Sequence, residues 1–144
     1  MKKEFVSFDI ARLLHEKGFN ESCFGVYLIN EVYTPKAVLQ PGTLEVLGIA
    51  AKGYNHPDCI LAPLWQQAID WLRENHDMNV DMYQADSGNY VYHISHTGIQ
   101  NTRLSQNGNY PYPKAREKGI LKAISLIDCK FLKDAKTNVT HKSV

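Results

Sequence analysis

The chain has 144 residues, of which 44% are hydrophobic and 22% charged, with a formal net charge of +1. These are the proportions of an ordinary globular domain with one sizeable core, and no apolar run nears the roughly 18–20 residues that cross a bilayer. Three scattered cysteines (Cys23, Cys59, Cys129), with no Cys-x-x-Cys pair, suggest neither a disulfide framework nor a thiolate zinc site.

The first segment, MKKEFVSFDIARLL, starts basic but is interrupted by Asp9 and Arg12, with His15 following, so it lacks the continuous apolar stretch of a signal peptide. A cytoplasmic setting without membrane contact is expected, and the Asn138-Val139-Thr140 sequon would be idle there. The same segment predicts a first helix with signals at both ends. Ser7 is the N-cap, with Val6 before it placed to staple onto Ala11. Ile10, Ala11, Leu13 and Leu14 form the apolar stripe, and Gly18-Phe19 supplies a Schellman ending in which Phe19 packs back on Leu14.

Cys23–Asn30 reads as a strand, followed by a turn-rich link containing Pro35, Pro41 and Gly42, then a second strand at Thr43–Ala50 and a loop over 51–60. A second helix is expected to open at Pro63 in the N1 position. Leu61, Leu64, Trp65, Ala68, Ile69, Trp71 and Leu72 form its broad apolar face, and Gln66, Gln67, Asp70, Arg73 and Glu74 its wet one. Two tryptophans on one face are read as packing and not as a ligand platform.

Val80–Asp86 and Tyr90–His96 predict a hairpin around Ser87-Gly88-Asn89. With Asp86 opposite Tyr90, the residues Val80, Met82, Tyr90, Tyr92 and Ile94 share the core face. His93 and His96, three apart, then point to opposite faces and cannot hold one zinc ion unless the strand ends or bulges between them. His93 shares its face with Asp81, which it could meet across the strands in an exposed pair worth little. A short third strand is expected at Ile99–Leu104, then a turn at Asn107-Gly108. A third helix should run from Pro113 to about Ala135, with Ile120, Ala123, Ile124, Ile127 and Phe131 on one face and Gly119 as a local weakness. Residues 136–144 have no apolar period and are expected to be a disordered tail.

The order α-β-β-α-β-β-(β)-α predicts an α+β fold: an antiparallel sheet of three to five strands with three helices packed on it, one domain over residues 1–135. The sequence holds no Gly-x-Gly-x-x-Gly, no phosphate-binding loop and no Gly-x-Ser-x-Gly elbow. His15-Glu16 begins a zincin pattern but Phe19 stands where the second histidine belongs. His56, Asp58 and Cys59 cluster locally, but short-range sets of this kind arise by chance, and catalytic triads converge from distant segments. No catalytic residue, metal ligand or cofactor is assigned, and the chain is read as non-enzymatic.

The charge is uneven. Residues 1–97 carry 7 Lys+Arg against 12 Asp+Glu, net −5, and residues 98–144 carry 9 against 3, net +6. Lys114, Arg116 and Lys118 fall in the first turns of the third helix, where the macrodipole disfavours cations, a placement that suits an anionic partner such as phosphate. Tyr110 and Tyr112 beside them offer stacking surfaces, and Arg103 lies upstream. From the second helix onward the order α-β-β-(β)-α resembles that of the double-stranded-RNA-binding domain. That resemblance implies duplex binding, with Lys114, Arg116 and Lys118 on phosphates. The hairpin loop Asp86-Ser87-Gly88-Asn89 departs from that family's glycine-proline-histidine type. Alternatively these cations are solvated and balanced by Glu117 and the acidic remainder of the fold.

SFDIARLLHEKGF, APLWQQAIDWLREN and YPYPKAREKGILKAISLI together resemble the layout of short uncharacterised proteins of phages, prophages and mobile elements of gut bacteria. That resemblance implies an accessory protein without assigned activity, acting through contacts with a protein partner or with itself. Nucleic-acid binding, to duplex RNA or DNA, is the alternative.

Overall fold

The structure is a computed structural model and describes residues 2–30, 36–41, 59–97 and 103–129. The fold is α+β, with three helices and two antiparallel three-stranded sheets among the described residues. The chain divides into two compact units, 1–68 and 69–144, the division falling inside the second helix. The expected strand at Thr43–Ala50, the end of the single domain expected over 1–135 and the tail at 136–144 lie outside the described residues.

The first unit is tied together at its start. Helix α1 (Phe8–Glu16) is capped by Ser7, whose Oγ accepts from the Ile10 amide at 3.4 Å. Its end is a full Schellman motif: Gly18 sits at φ 95°, its amide donates to the His15 carbonyl, and the Phe19 amide donates to the Leu14 carbonyl. Only a residue without a Cβ adopts that φ at little cost. Ile10, Ala11, Leu14 and Phe19 are buried.

Strand β1 (Gly25–Asn30) is the centre of the first sheet, paired antiparallel to β2 (Lys36–Pro41) on one side and to β3 (Cys59–Leu61) on the other. Two expectations change here. Lys36–Pro41 is a strand and not part of a turn-rich link, with Pro41 ending it at a position where a missing amide costs little. Cys59–Leu61 leaves the expected loop because Leu61, Ile60 and Cys59 find partners in Val26, Tyr27 and Leu28.

Helix α2 spans Trp65–His76 and not from Pro63. Pro63 and Leu64 stay extended because the Val6 amide donates to the Pro63 carbonyl at 3.0 Å and Phe5 bridges Leu64. The Leu64 carbonyl accepts from the Ala68 amide, which makes Leu64 the N-cap. Ala68, Ile69, Trp71 and Leu72 are buried as the periodicity predicts.

In the second unit, β4 (Met78–Gln84), β5 (Tyr90–His96) and β6 (Arg103–Tyr110) form a meander in spatial order β4-β5-β6. The hairpin register places Gln84, not Asp86, opposite Tyr90. A shift of two residues preserves every face, so Met78, Val80, Tyr92 and Ile94 are buried on the expected side, and His93 lies opposite Asp81. His96 is buried on the core side and His93 is half-buried on the other.

The third strand lies further along the chain than expected, and it includes Asn107-Gly108. That dipeptide pairs with Tyr92 and Val91 instead of turning. Glycine is required there, since a Cβ at 108 would sit 2.6 Å from Val91 Cα. The ladder carries irregularities between Tyr90 and Val91 and between Ile94 and Ser95. Helix α3 (Tyr112–Leu126) opens one residue before Pro113, with Pro111 as N-cap, and buries Ala115, Gly119, Ile120, Ala123 and Ile124. Phe131 lies outside the described residues. Gly119 is where the helix meets the sheet: a Cβ there would lie 3.0 Å from Tyr92 Cβ and 3.2 Å from Val80 Cγ1. The residue that weakens the helix locally is the one that lets it approach the strands.

Candidate nucleic-acid interface

The chain's exit from β6 into α3 gathers most of the residues singled out in the sequence. Tyr110 ends β6, Tyr112 begins α3, and only Pro111 separates them. Helical spacing then divides the cations. Tyr112 and Arg116 are four apart on the side facing the sheet, and the Arg116 guanidinium lies 5.5 Å from the centre of the Tyr112 ring. Lys114 and Lys118, also four apart, share the other side, about 6 Å from one another along the axis at 1.5 Å per residue. Lys118 Nζ is 5.1 Å from the centre of the Tyr110 ring. Lys114 reaches Glu117 at 3.8 Å in an exposed pair that contributes little.

Tyr90 completes the aromatic group, its ring meeting that of Tyr112 edge-on at 5.1 Å between centres. Both lie at the hairpin end of the sheet. Tyr112 keeps 42% of its surface exposed, so its ring can be reached by a ligand. No side chain caps α3 and no acid stands in its first turn, so Lys114 faces the unscreened positive end of the macrodipole.

A polar cluster borders the aromatics. The hairpin turn is closed by Ala85 and Asn89, and Gly88 takes φ 84° at its tip. Asn109 stands at φ 91°, a left-handed conformation that asparagine tolerates better than most residues, in the ladder irregularity beside Tyr110. Its Oδ1 accepts from Asn89 Nδ2 at 3.0 Å and from Ser87 Oγ at 3.3 Å. These groups are exposed and carry further donors and acceptors.

Of the six residues expected to form an interface, five meet at this end: Tyr110, Tyr112, Lys114, Arg116 and Lys118. Arg103 does not. It begins β6, hydrogen-bonded to Gln106 at 3.1 Å, about 23 Å from Tyr110 at 3.3 Å per strand residue. Sequence reading missed Tyr90, taken only as a core residue, and Ser87, Asn89 and Asn109. The Asn-Gly-Asn run at 107–109 was a signal for unusual backbone, but it marks an irregular strand here and not a turn.

The other candidates stay apart. Among the described residues no group of three or more His, Cys, Asp and Glu could hold a metal, and no helix is long and apolar enough to cross a membrane. His56 and Asp58 lie outside the described residues, and Cys59 is a half-buried residue of β3. Cys23 is buried, and desolvation, then the nearby Glu21 charge, pushes its thiol up to about 12. It is a protonated packing group, not a nucleophile. No protein-family model, curated protein or solved structure matches the chain.

Proposed function

We propose that the second unit binds nucleic acid, with Lys114 and Lys118 on backbone phosphates at the start of α3. One observation carries this reading: two aligned lysines, two cation-backed tyrosines and an uncapped helix start converge at one end of the sheet. Phosphate needs concentrated positive charge, and bases offer flat faces to aromatic rings.

The test is a titration of labelled RNA and DNA, in duplex and single-stranded form, at about 50 and about 200 mM salt. Affinity should fall steeply between the two, as counterions released from the phosphates are paid back at higher salt. A Lys114→Ala/Lys118→Ala variant should lower the salt slope by about two. No binding at the lower salt would overturn the proposal and favour the other expectation, an accessory protein of phage or mobile-element type acting through protein contacts.

A further inference from the structure

We infer that this site takes a short single-stranded or frayed segment with an unpaired base, and not a continuous duplex; this rests on the reading just proposed. Charge distribution is the first ground. A duplex held over about 16 base pairs is contacted in two minor grooves and across the major groove between them, so cations are needed at separated places. Among the described residues of the second unit, four of the six cations, Lys114, Arg116, Lys118 and Lys122, are gathered on α3, while Arg103 stands apart at the far end of β6. The hairpin turn, 85–89, carries Asp86 and no Lys or Arg. In the part of α2 within this unit, Asp70 and Glu74 stand on the wet side, and Arg73 is bonded to Asp70 at 2.6 Å. Strand β4 adds Asp81, exposed. A second or third duplex contact at any of these would meet negative charge.

The size of the cationic site is the second ground. Lys114, Lys118 and Lys122, each four apart on α3, form a row of about 12 Å at 1.5 Å per residue, which matches about three to four nucleotides of one stacked strand at 3.4 Å each. Arg116 does not extend this row, because it lies behind Tyr112 on the side facing the sheet. It holds the ring in place and adds positive charge beneath it.

The third ground is chemical. A duplex covers its base faces and leaves an exposed tyrosine nothing to stack on except at its ends. Here Tyr112 is 42% exposed, backed by Arg116 and braced by Tyr90. The Ser87, Asn89 and Asn109 side chains lie at the same end and offer amide and hydroxyl groups to a base edge or sugar. A flat ring, polar edges and a short row of lysines are the parts a strand with an unpaired base uses.

The experiment compares fluorescence anisotropy of a labelled single strand of about 8 nucleotides with that of a dumbbell duplex closed by loops of abasic linker. Single strand should bind at least about tenfold more tightly. Tyr112→Ala should weaken it by about 5- to 100-fold, the range for loss of one stacked base, and leave the dumbbell unchanged. Tyr112→Phe should retain the preference, which separates stacking from damage to the fold. Equal binding of the two probes, or a Tyr112→Ala variant with undiminished single-strand affinity, would overturn this inference and leave the proposed phosphate binding intact. Failure of both probes to bind at about 20 mM salt would overturn both.

Discussion

The two sheets have the same size and antiparallel sense, yet their polar side chains do different work. In the first unit they hold the chain to itself. Tyr27 donates to the Val6 carbonyl at 2.6 Å, Trp65 Nε1 to the Lys3 carbonyl at 2.9 Å, and Gln67 Nε2 to the Ser22 carbonyl at 2.8 Å. Each satisfies a backbone carbonyl in the segments that flank α1, outside the named strands. In the second unit the polar and aromatic groups at the hairpin end contact one another and remain at the surface. The difference separates groups that close a fold from groups available to a ligand, and it can be attacked one residue at a time.

The largest expected effect lies in the first unit. Leu14 is fully buried and its carbonyl closes the Schellman motif. Leu14→Ala should cost about 2–5 kcal/mol by urea denaturation, through lost burial and the cavity left behind. Below the unfolding transition it should leave nucleic-acid affinity unchanged, and a loss of affinity there would break the separation. Gly119→Val, in the second unit, comes next. Its branches must enter the space held by Tyr92 and Val80, so about 1–3 kcal/mol is expected, as for an overpacked core. This variant should lose stability and affinity together, because α3 carries the lysines and must move off the sheet.

How much of this was legible in the sequence follows the same division between local and distant causes. Helix α1 could be read completely because its signals, Ser7, Gly18 and Phe19, act on backbone groups within a few residues. The β4–β5 hairpin could be read by alternation, and its register error of two residues did no harm to the faces. Strand β3 could not be read, since three residues become a strand only through β1, which lies about 30 positions earlier in the chain. Strand β6 was misplaced because its polar, glycine-containing sequence carries no alternation and is held by pairing with β5. In the candidate site, the residue types were legible but not their unequal roles. The spacing of four that pairs Tyr112 with Arg116 was present in the sequence, but which side of α3 faces the sheet depends on Gly119 meeting Tyr92.

A smaller effect distinguishes the units by pH. Burial raises the Cys23 thiol from 9.0 to about 12, and burial also raises the Tyr27 hydroxyl above its ordinary value. Both are neutral when protonated, and the folded state favours that form. Their contribution is therefore fully present below the unfolded values and is lost as pH rises through the folded ones. The urea midpoint should fall between about pH 9 and 12, and Cys23→Ala should flatten part of that fall. An equal fall in the Cys23→Ala variant would mean that the alkaline sensitivity belongs elsewhere.

The smallest expected effect is the sharpest on the site's extent. Arg103 is exposed, shares the cationic character of α3, and was read with it from the sequence. It stands at the far end of β6, about 23 Å from Tyr110 at 3.3 Å per residue. Arg103→Ala should change stability by less than about 0.5 kcal/mol, as is usual for an exposed polar contact such as its bond to Gln106. For a strand of about 8 nucleotides anchored at α3, its affinity should stay within about twofold of the parent, while Lys118→Ala lowers the salt slope by about one. If Arg103→Ala instead lowers the slope as much as Lys118→Ala does, the bound strand runs the length of β6. The polar edge from Ser105 to Asn109 then becomes part of the interface, and the line between closing the fold and meeting a ligand must be redrawn along that strand.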